Sequence, residues 1–257
     1  MRLSSFLCTL AATLALAVGA VAAPSKPTIV LVHGAFADSS SWNGVVADLE
    51  RDGFTVVAAA NPLRGVASDA AYVAAVVKSV KGPVILVGHS YGGVVISQAA
   101  GSTDNVKGLV YVDAFAPDVG ESVGDLGAKF PGAALGPALA PIPLPDGSVD
   151  LYVRPDQFAT VFAPDVPAAA AKLAAAEQRP ISQGAFVEKV TAAAWKTLPS
   201  WHIYGSMDMA IPPAAMAFMA ERAHARKTVV ITGGSHVTLI SHPHEVTALI
   251  EAAATSS

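Results

Sequence analysis

The stretch Val84-Ile85-Leu86-Val87-Gly88-His89-Ser90-Tyr91-Gly92-Gly93 decides the fold. It opens on four apolar residues, 84–87, a short run that suits a strand covered on both faces. From Tyr91 to about Ala100 the chain reads as a helix. Between them stands Gly88-x-Ser90-x-Gly92, the G-x-S-x-G pattern of a nucleophile elbow, in the strand–turn–helix setting the pattern needs. A serine on so sharp a turn is lifted clear of the sheet, and the start of the following helix points at whatever it attacks. Side chains at Gly88 or Gly92 would collide with the neighbouring helix and strand.

Outward from this stretch, short apolar runs alternate with helical patterns, as in a parallel sheet built from strand–helix units. Strands are expected at 28–32, 54–58, 84–87, 106–112, 201–204 and 228–231. Helices are expected at 42–51, closed by Gly53, at 68–80 with Ser68 as cap, and at about 243–253. Between Ala114 and Leu198 the rhythm breaks. Prolines 117, 131, 137, 141, 143 and 145 punctuate its first half, and alanine-rich helices are expected near 167–178 and 183–195. A structureless loop of that length would be unusual, so the segment reads as an insertion lying over the sheet.

A serine hydroxyl is a weak nucleophile, and it needs a base that is itself oriented by a carboxylate. After a serine elbow of this kind the acid and then the histidine follow in chain order. Asp208, in Tyr204-Gly205-Ser206-Met207-Asp208, and His236, in Gly233-Gly234-Ser235-His236, each follow a predicted strand. Both are thereby expected on the sheet edge that carries Ser90. Asp113 also ends a strand and is the rival acid. Among the other histidines, His202 lies inside a strand and His224 on a helix, while His242 and His244 begin the last helix on its surface. His89 is expected to pack beneath the elbow, and His33 to be a hydrogen-bonded structural residue. The turn His33-Gly34-Ala35-Phe36 can present a backbone N–H to a developing oxyanion, Ala35 being the first choice and Phe36 the alternative. Tyr91 supplies the second donor. Trp42 reads as core.

Composition sets the remaining bounds. The chain has 257 residues, 53% hydrophobic and 14% charged, which suits a globular protein with a large core. Its net charge is −4 with no dense Lys/Arg cluster, so nucleic acid is not an expected partner. Residues 1–23 read as a cleaved signal peptide, from Arg2 through an apolar run to Val21-Ala22-Ala23, implying a secreted or periplasmic protein without stable membrane insertion. The single cysteine, Cys8, would leave with it, which excludes disulfides and a thiol nucleophile. No H-E-x-x-H is present, and His242-x-His244 alone is weak evidence for a metal, so no metal site is assigned.

These motifs together resemble small α/β hydrolases, in particular bacterial relatives of the plant methylesterase and hydroxynitrile lyase family. Gln178-Arg179-Pro180-Ile181-Ser182 and Trp195-Lys196-Thr197-Leu198-Pro199-Ser200-Trp201 also look like those members. The resemblance spans about 27–252 and implies the α/β-hydrolase fold. It brings a six-stranded, mostly parallel sheet with helices on both faces, a helical cap insertion at about 114–198 within a domain of 24–257, and no cofactor. Lyases of that family carry threonine after the oxyanion-turn histidine and lysine after the base; here Gly34 and Val237 stand there. The implied activity is hydrolysis of a small, largely neutral carboxylic ester through an acyl-enzyme, with cap residues Phe130, Leu135, Leu139, Ile142, Leu144, Phe158 and Phe162 as candidate pocket lining. Lyase chemistry, cofactor-free perhydrolase or haloperoxidase chemistry, and non-catalytic ligand binding are the alternatives on the same residues.

Overall fold

The computed structural model describes residues 26–256; the leader expected at 1–23 lies outside them. The chain forms β1 (Thr28–Val32), α1 (Asn43–Arg51), β2 (Val56–Ala59), α2 (Val66–Ser79), β3 (Val84–His89), α3 (Tyr91–Ala99) and β4 (Val106–Val112). Next come α4 (Val123–Lys129), β5 (Leu139–Pro143), β6 (Val149–Val153), α5 (Pro155–Val161), α6 (Ala168–Glu177), β7 (Ile181–Ser182) and α7 (Gly184–Val187). The last part is β8 (Ser200–Gly205), α8 (Pro213–Arg222), β9 (Lys227–Ile231), α9 (Thr238–Ser241) and α10 (Pro243–Thr255).

The main sheet runs β2-β1-β3-β4-β8-β9, and every neighbouring pair is parallel. Parallel strands need crossovers, and the crossovers place α1 against α10 and α2 against α3. Covered on both faces, β1 and β3 are buried at every position, which is why their sequences run apolar without alternation. The edge strand β9 leaves Lys227, Thr228 and Val230 exposed. Because all six strands point one way, their carboxyl ends gather His33, Ser90, Asp113, Asp208 and His236 along one edge of the sheet.

The segment between β4 and β8 lies over that edge, and it is more than helical. Besides α4 to α7 it holds a three-stranded antiparallel sheet, β5-β6-β7. The long helix expected at 183–195 is only the single turn of α7 followed by irregular chain and a 3-10 turn at Ala194–Lys196. Glu188 explains the break: its carboxylate accepts from the Val66 and Ala67 N–H groups at 2.7 and 2.9 Å, capping α2 from the cap side. Ser68, expected as that cap, lies inside α2. A second tie is the ion pair of Arg64 with Asp150 on β6 at 2.7 Å. His224 sits just beyond α8 in the left-handed region (φ 48°), not on the helix.

Three buried imidazoles stabilise the fold only while neutral. His33 donates from Nδ1 to the Gly34 carbonyl and accepts the Asn61 N–H on Nε2, and burial lowers its pKa to about 4. His202 stacks on Tyr111 at 4.6 Å with Nε2 unpartnered, and burial lowers its pKa to about 3. Burial holds His89 far below the usual value of 6.5 as well. Each takes up a proton only on unfolding, so its contribution is full above pH 6.5 and is lost as pH falls toward the folded value. Asp69 and Asp113, whose carboxyls burial raises, act in the opposite sense. The three imidazoles outnumber the two acids, so stability should fall as pH drops from roughly 6 toward 4. Thermal melting across that range checks it. His202→Phe, which keeps the stack and removes the titrating nitrogen, should flatten the slope.

Candidate active site

The elbow forms where the sequence places it. Ser90 has φ 53° and ψ −122°, a strained backbone that its surroundings impose. A Cβ on Gly92 would lie 2.4 Å from the Val32 carbonyl oxygen of β1, and one on Gly88 would lie 2.6 Å from the Gly92 carbonyl oxygen of α3. Only glycine lets helix and strand close on the serine from both sides.

His236 comes to Ser90 on the loop after β9. Its Nε2 stands 2.9 Å from the Ser90 hydroxyl, and its Nδ1–H donates to the Asp208 carboxylate at 2.7 Å. The other Asp208 oxygen accepts from the Ala210 and Ile211 N–H groups, both at 2.8 Å, so the carboxylate cannot turn. All three side chains are buried. Burial alone would depress the His236 pKa, but the Asp208 carboxylate outweighs it and holds the imidazole above the usual histidine value.

The structure brings Asp208, and not Asp113, to the imidazole. Asp113 accepts from the Gly205 N–H at 2.9 Å and from the Thr238 N–H and hydroxyl at 2.9 and 2.5 Å. It therefore pins the two loops that carry Asp208 and His236 without touching His236. Burial and the nearby Asp208 charge push its carboxyl up to about 7.

The two candidate donors at the oxyanion turn are also separated. The Phe36 N–H is spent on the Arg179 carbonyl at 3.1 Å, whereas no partner for the Ala35 N–H occurs among the described residues. The Tyr91 N–H stands at the first position of α3, where no helical acceptor exists. Tyr91 is anchored by its own hydroxyl, which donates to Asp69 at 2.9 Å. His89 lies beneath the elbow, its Nε2–H donating to the His236 carbonyl at 2.8 Å. His242 is half-buried and held by the Ser241 hydroxyl at 2.8 Å, and exposed His244 reaches Asp48 across the α1–α10 contact at 2.5 Å.

A cavity of about 400 Å³ reaches His236 through Phe162, whose ring lies 4.9 Å from the imidazole, and Val237, the next residue in the chain. Phe36, Phe158, Ala170 and Leu173 also belong to this wall, while Ser90 and His236 themselves are not part of it. Of the seven cap residues expected to line a pocket, only Phe158 and Phe162 do so. Phe130 instead packs on Phe218 at 5.2 Å, and Ile142 is exposed on the edge strand β5. Among the described residues no group of three or more His, Cys, Asp or Glu side chains could hold a metal ion, and no helix is long and apolar enough to cross a membrane.

The comparisons agree with this architecture. A "Probable hydrolase R7" from a Phoma species is 28% identical over 204 residues, covering 74% of this chain and 80% of that protein. The alpha-hydroxynitrile lyase of Arabidopsis thaliana is 26% identical over 255 residues, 90% of this chain and 98% of that one. The crystal structure of polyneuridine aldehyde esterase superposes with a TM-score of 0.77 at 21% identity, covering 91% of this chain and 100% of that one. The profile of the alpha/beta hydrolase family matches residues 29–249. With that match, the all-parallel six-stranded sheet and the serine elbow at its edge, the chain belongs to the alpha/beta hydrolase family.

Proposed function

We propose that this hydrolase cleaves small, largely neutral carboxylic esters through an acyl-enzyme, with Ser90, His236 and Asp208 as its catalytic triad. The observation that carries the reading is the unbroken line from the Ser90 hydroxyl through both nitrogens of His236 to Asp208, at 2.9 and 2.7 Å. Along it His236 takes the serine proton at Nε2 as the oxygen attacks the ester carbonyl. Asp208 keeps the other proton on Nδ1 and stabilises the imidazolium. The Ala35 and Tyr91 N–H groups receive the oxyanion; losing one such donor typically costs about 3 kcal/mol of barrier. The imidazolium then protonates the departing alkoxide, and water, deprotonated by His236 in turn, releases the acid.

Two features favour this chemistry over cyanohydrin cleavage. Val237 offers no charge to a leaving cyanide. A Cβ at Gly34 would lie 2.6 Å from that of Ser90, so the threonine of the lyases does not fit here. The cavity supports the substrate class. It is largely apolar, carries Asp38 and Glu177 at its rim and has no lysine or arginine in its wall, which favours uncharged arms and disfavours anionic ones.

Hydrolysis of p-nitrophenyl esters from acetate to decanoate, beside a succinate half-ester, tests the reading. Neutral esters should turn over, with kcat/KM rising up to roughly fourfold per methylene until the cavity is filled, and the half-ester should be slower than butyrate. No turnover on any ester, with Ser90 unlabelled by a fluorophosphonate, would overturn the proposal. Turnover seen only with peroxide would assign perhydrolase chemistry instead.

A further inference from the structure

The loop that carries His236 is held from the cap. Asp165 lies between α5 and α6, and its carboxylate accepts from the Ser235 N–H at 2.9 Å, from the Ser235 hydroxyl and from the Ser241 hydroxyl at 2.8 Å. Ser235 immediately precedes His236, and Ser241 ends α9, so one carboxylate grips the chain on both sides of the imidazole. Phe162, from the same cap segment, sets its ring edge-on to the imidazole at 4.9 Å. The remaining titratable neighbour is His242, with Nδ1 3.9 Å from the Asp165 carboxylate.

We propose that Asp165 is a positioning residue for the base. It fixes the Ser235 amide and hydroxyl, and through them the direction from which His236 Nε2 meets the Ser90 hydroxyl. The inference rests on the reading of His236 as the base. Asp165 touches neither the serine nor the imidazole, so it acts only through the loop. Geometry of this kind matters because a misplacement of about 1 Å can cost on the order of 10²-fold in rate.

The test compares Asp165→Ala and Asp165→Asn with the wild type and Ser90→Ala, in steady-state kinetics, fluorophosphonate labelling and melting temperature. Alanine should lower kcat and the labelling rate roughly 10- to 100-fold with KM little changed. Asparagine retains an acceptor for the Ser235 N–H and hydrogen-bonding capacity toward both hydroxyls, and should restore most of kcat. A plain packing role would instead lower the melting temperature or raise KM and leave kcat alone; that result, or an asparagine variant no faster than alanine, overturns the proposal. If alanine at 165 prevents folding, Ser235→Ala carries the same test through the hydroxyl alone. An active Asp165→Ala beside a dead Ser90→Ala removes the proposal and leaves the serine reading standing, whereas an active Ser90→Ala removes the reading itself.

Discussion

Ser90→Ala is expected to lower kcat on p-nitrophenyl esters by about 10⁶-fold, the size typical of losing a triad nucleophile. The hydroxyl is buried, and among the described residues its one side-chain partner is His236 Nε2 and that nitrogen meets no other hydroxyl. Residual turnover would come from the Ala35 and Tyr91 amides and from binding, which the substitution leaves in place. The fold should survive, since alanine inherits the same φ of 53° and gives up only one hydrogen bond. Melting temperature measured beside the kinetics separates a chemical loss from an unfolded sample. A variant that melts like the wild type yet retains a hundredth of its activity would mean that the reaction does not pass through a Ser90 ester.

Asp208→Asn should cost about 10⁴-fold, the scale on which a wrong imidazole tautomer acts. Here the local contacts dictate that tautomer. The Ala210 and Ile211 N–H groups demand an acceptor at one end of the side chain, so an asparagine must place its oxygen there and its NH₂ against His236. The imidazole would then carry its proton on Nε2, facing the serine, and could not accept another. In the wild type kcat/KM should rise with pH through a pKa above 6.5, because the base must be neutral and Asp208 raises its pKa. In the variant the residual activity should still rise with pH, but through a lower pKa, because the counter-charge is gone. Asp113→Asn should act mainly on stability, by about 1–3 kcal/mol, because it leaves one of the Gly205 or Thr238 donors facing an NH₂ group. Parallel pH profiles and melting curves check the ranking, and an Asp113 variant slower than the Asp208 variant would reassign the acid to the end of β4.

The parts of this molecule that could be read from the chain are those where local sequence and local geometry coincide. The elbow needs glycine at 88 and 92 on steric grounds, so it shows as a motif. Asp208 and His236 follow apolar strands, so their edge was set once the strands were parallel. The cap was legible only as an interruption. Pro141 and Pro143 argue against a strand, yet β5 holds both, because it is the edge of the small sheet and pairs only with β6. The helix expected at 183–195 is cut short by contacts from far along the chain: Glu188 turns to α2, and Val190 exchanges backbone hydrogen bonds with Gly120 and Glu121. Asp165 left no signal, being a lone acid in the stretch Ala163-Pro164-Asp165-Val166-Pro167 whose partners lie well beyond it in sequence.

The capping of α2 by Glu188 bears on whether the insertion between β4 and β8 could be replaced by another. Beyond closing the site from above, the insertion supplies the charged end-piece of a helix that belongs to the main domain. The loop entering that helix gives the Arg64 and Gly65 N–H groups to Asp69, and Asp69 holds the Tyr91 hydroxyl. A foreign lid grafted between β4 and β8 without an acid at the place of Glu188 would leave the Val66 and Ala67 amides bare and loosen the residue beside the nucleophile. Recombination at those two boundaries is modular in sequence but not in energy, and a workable chimera must carry the acid of the old lid into the new one.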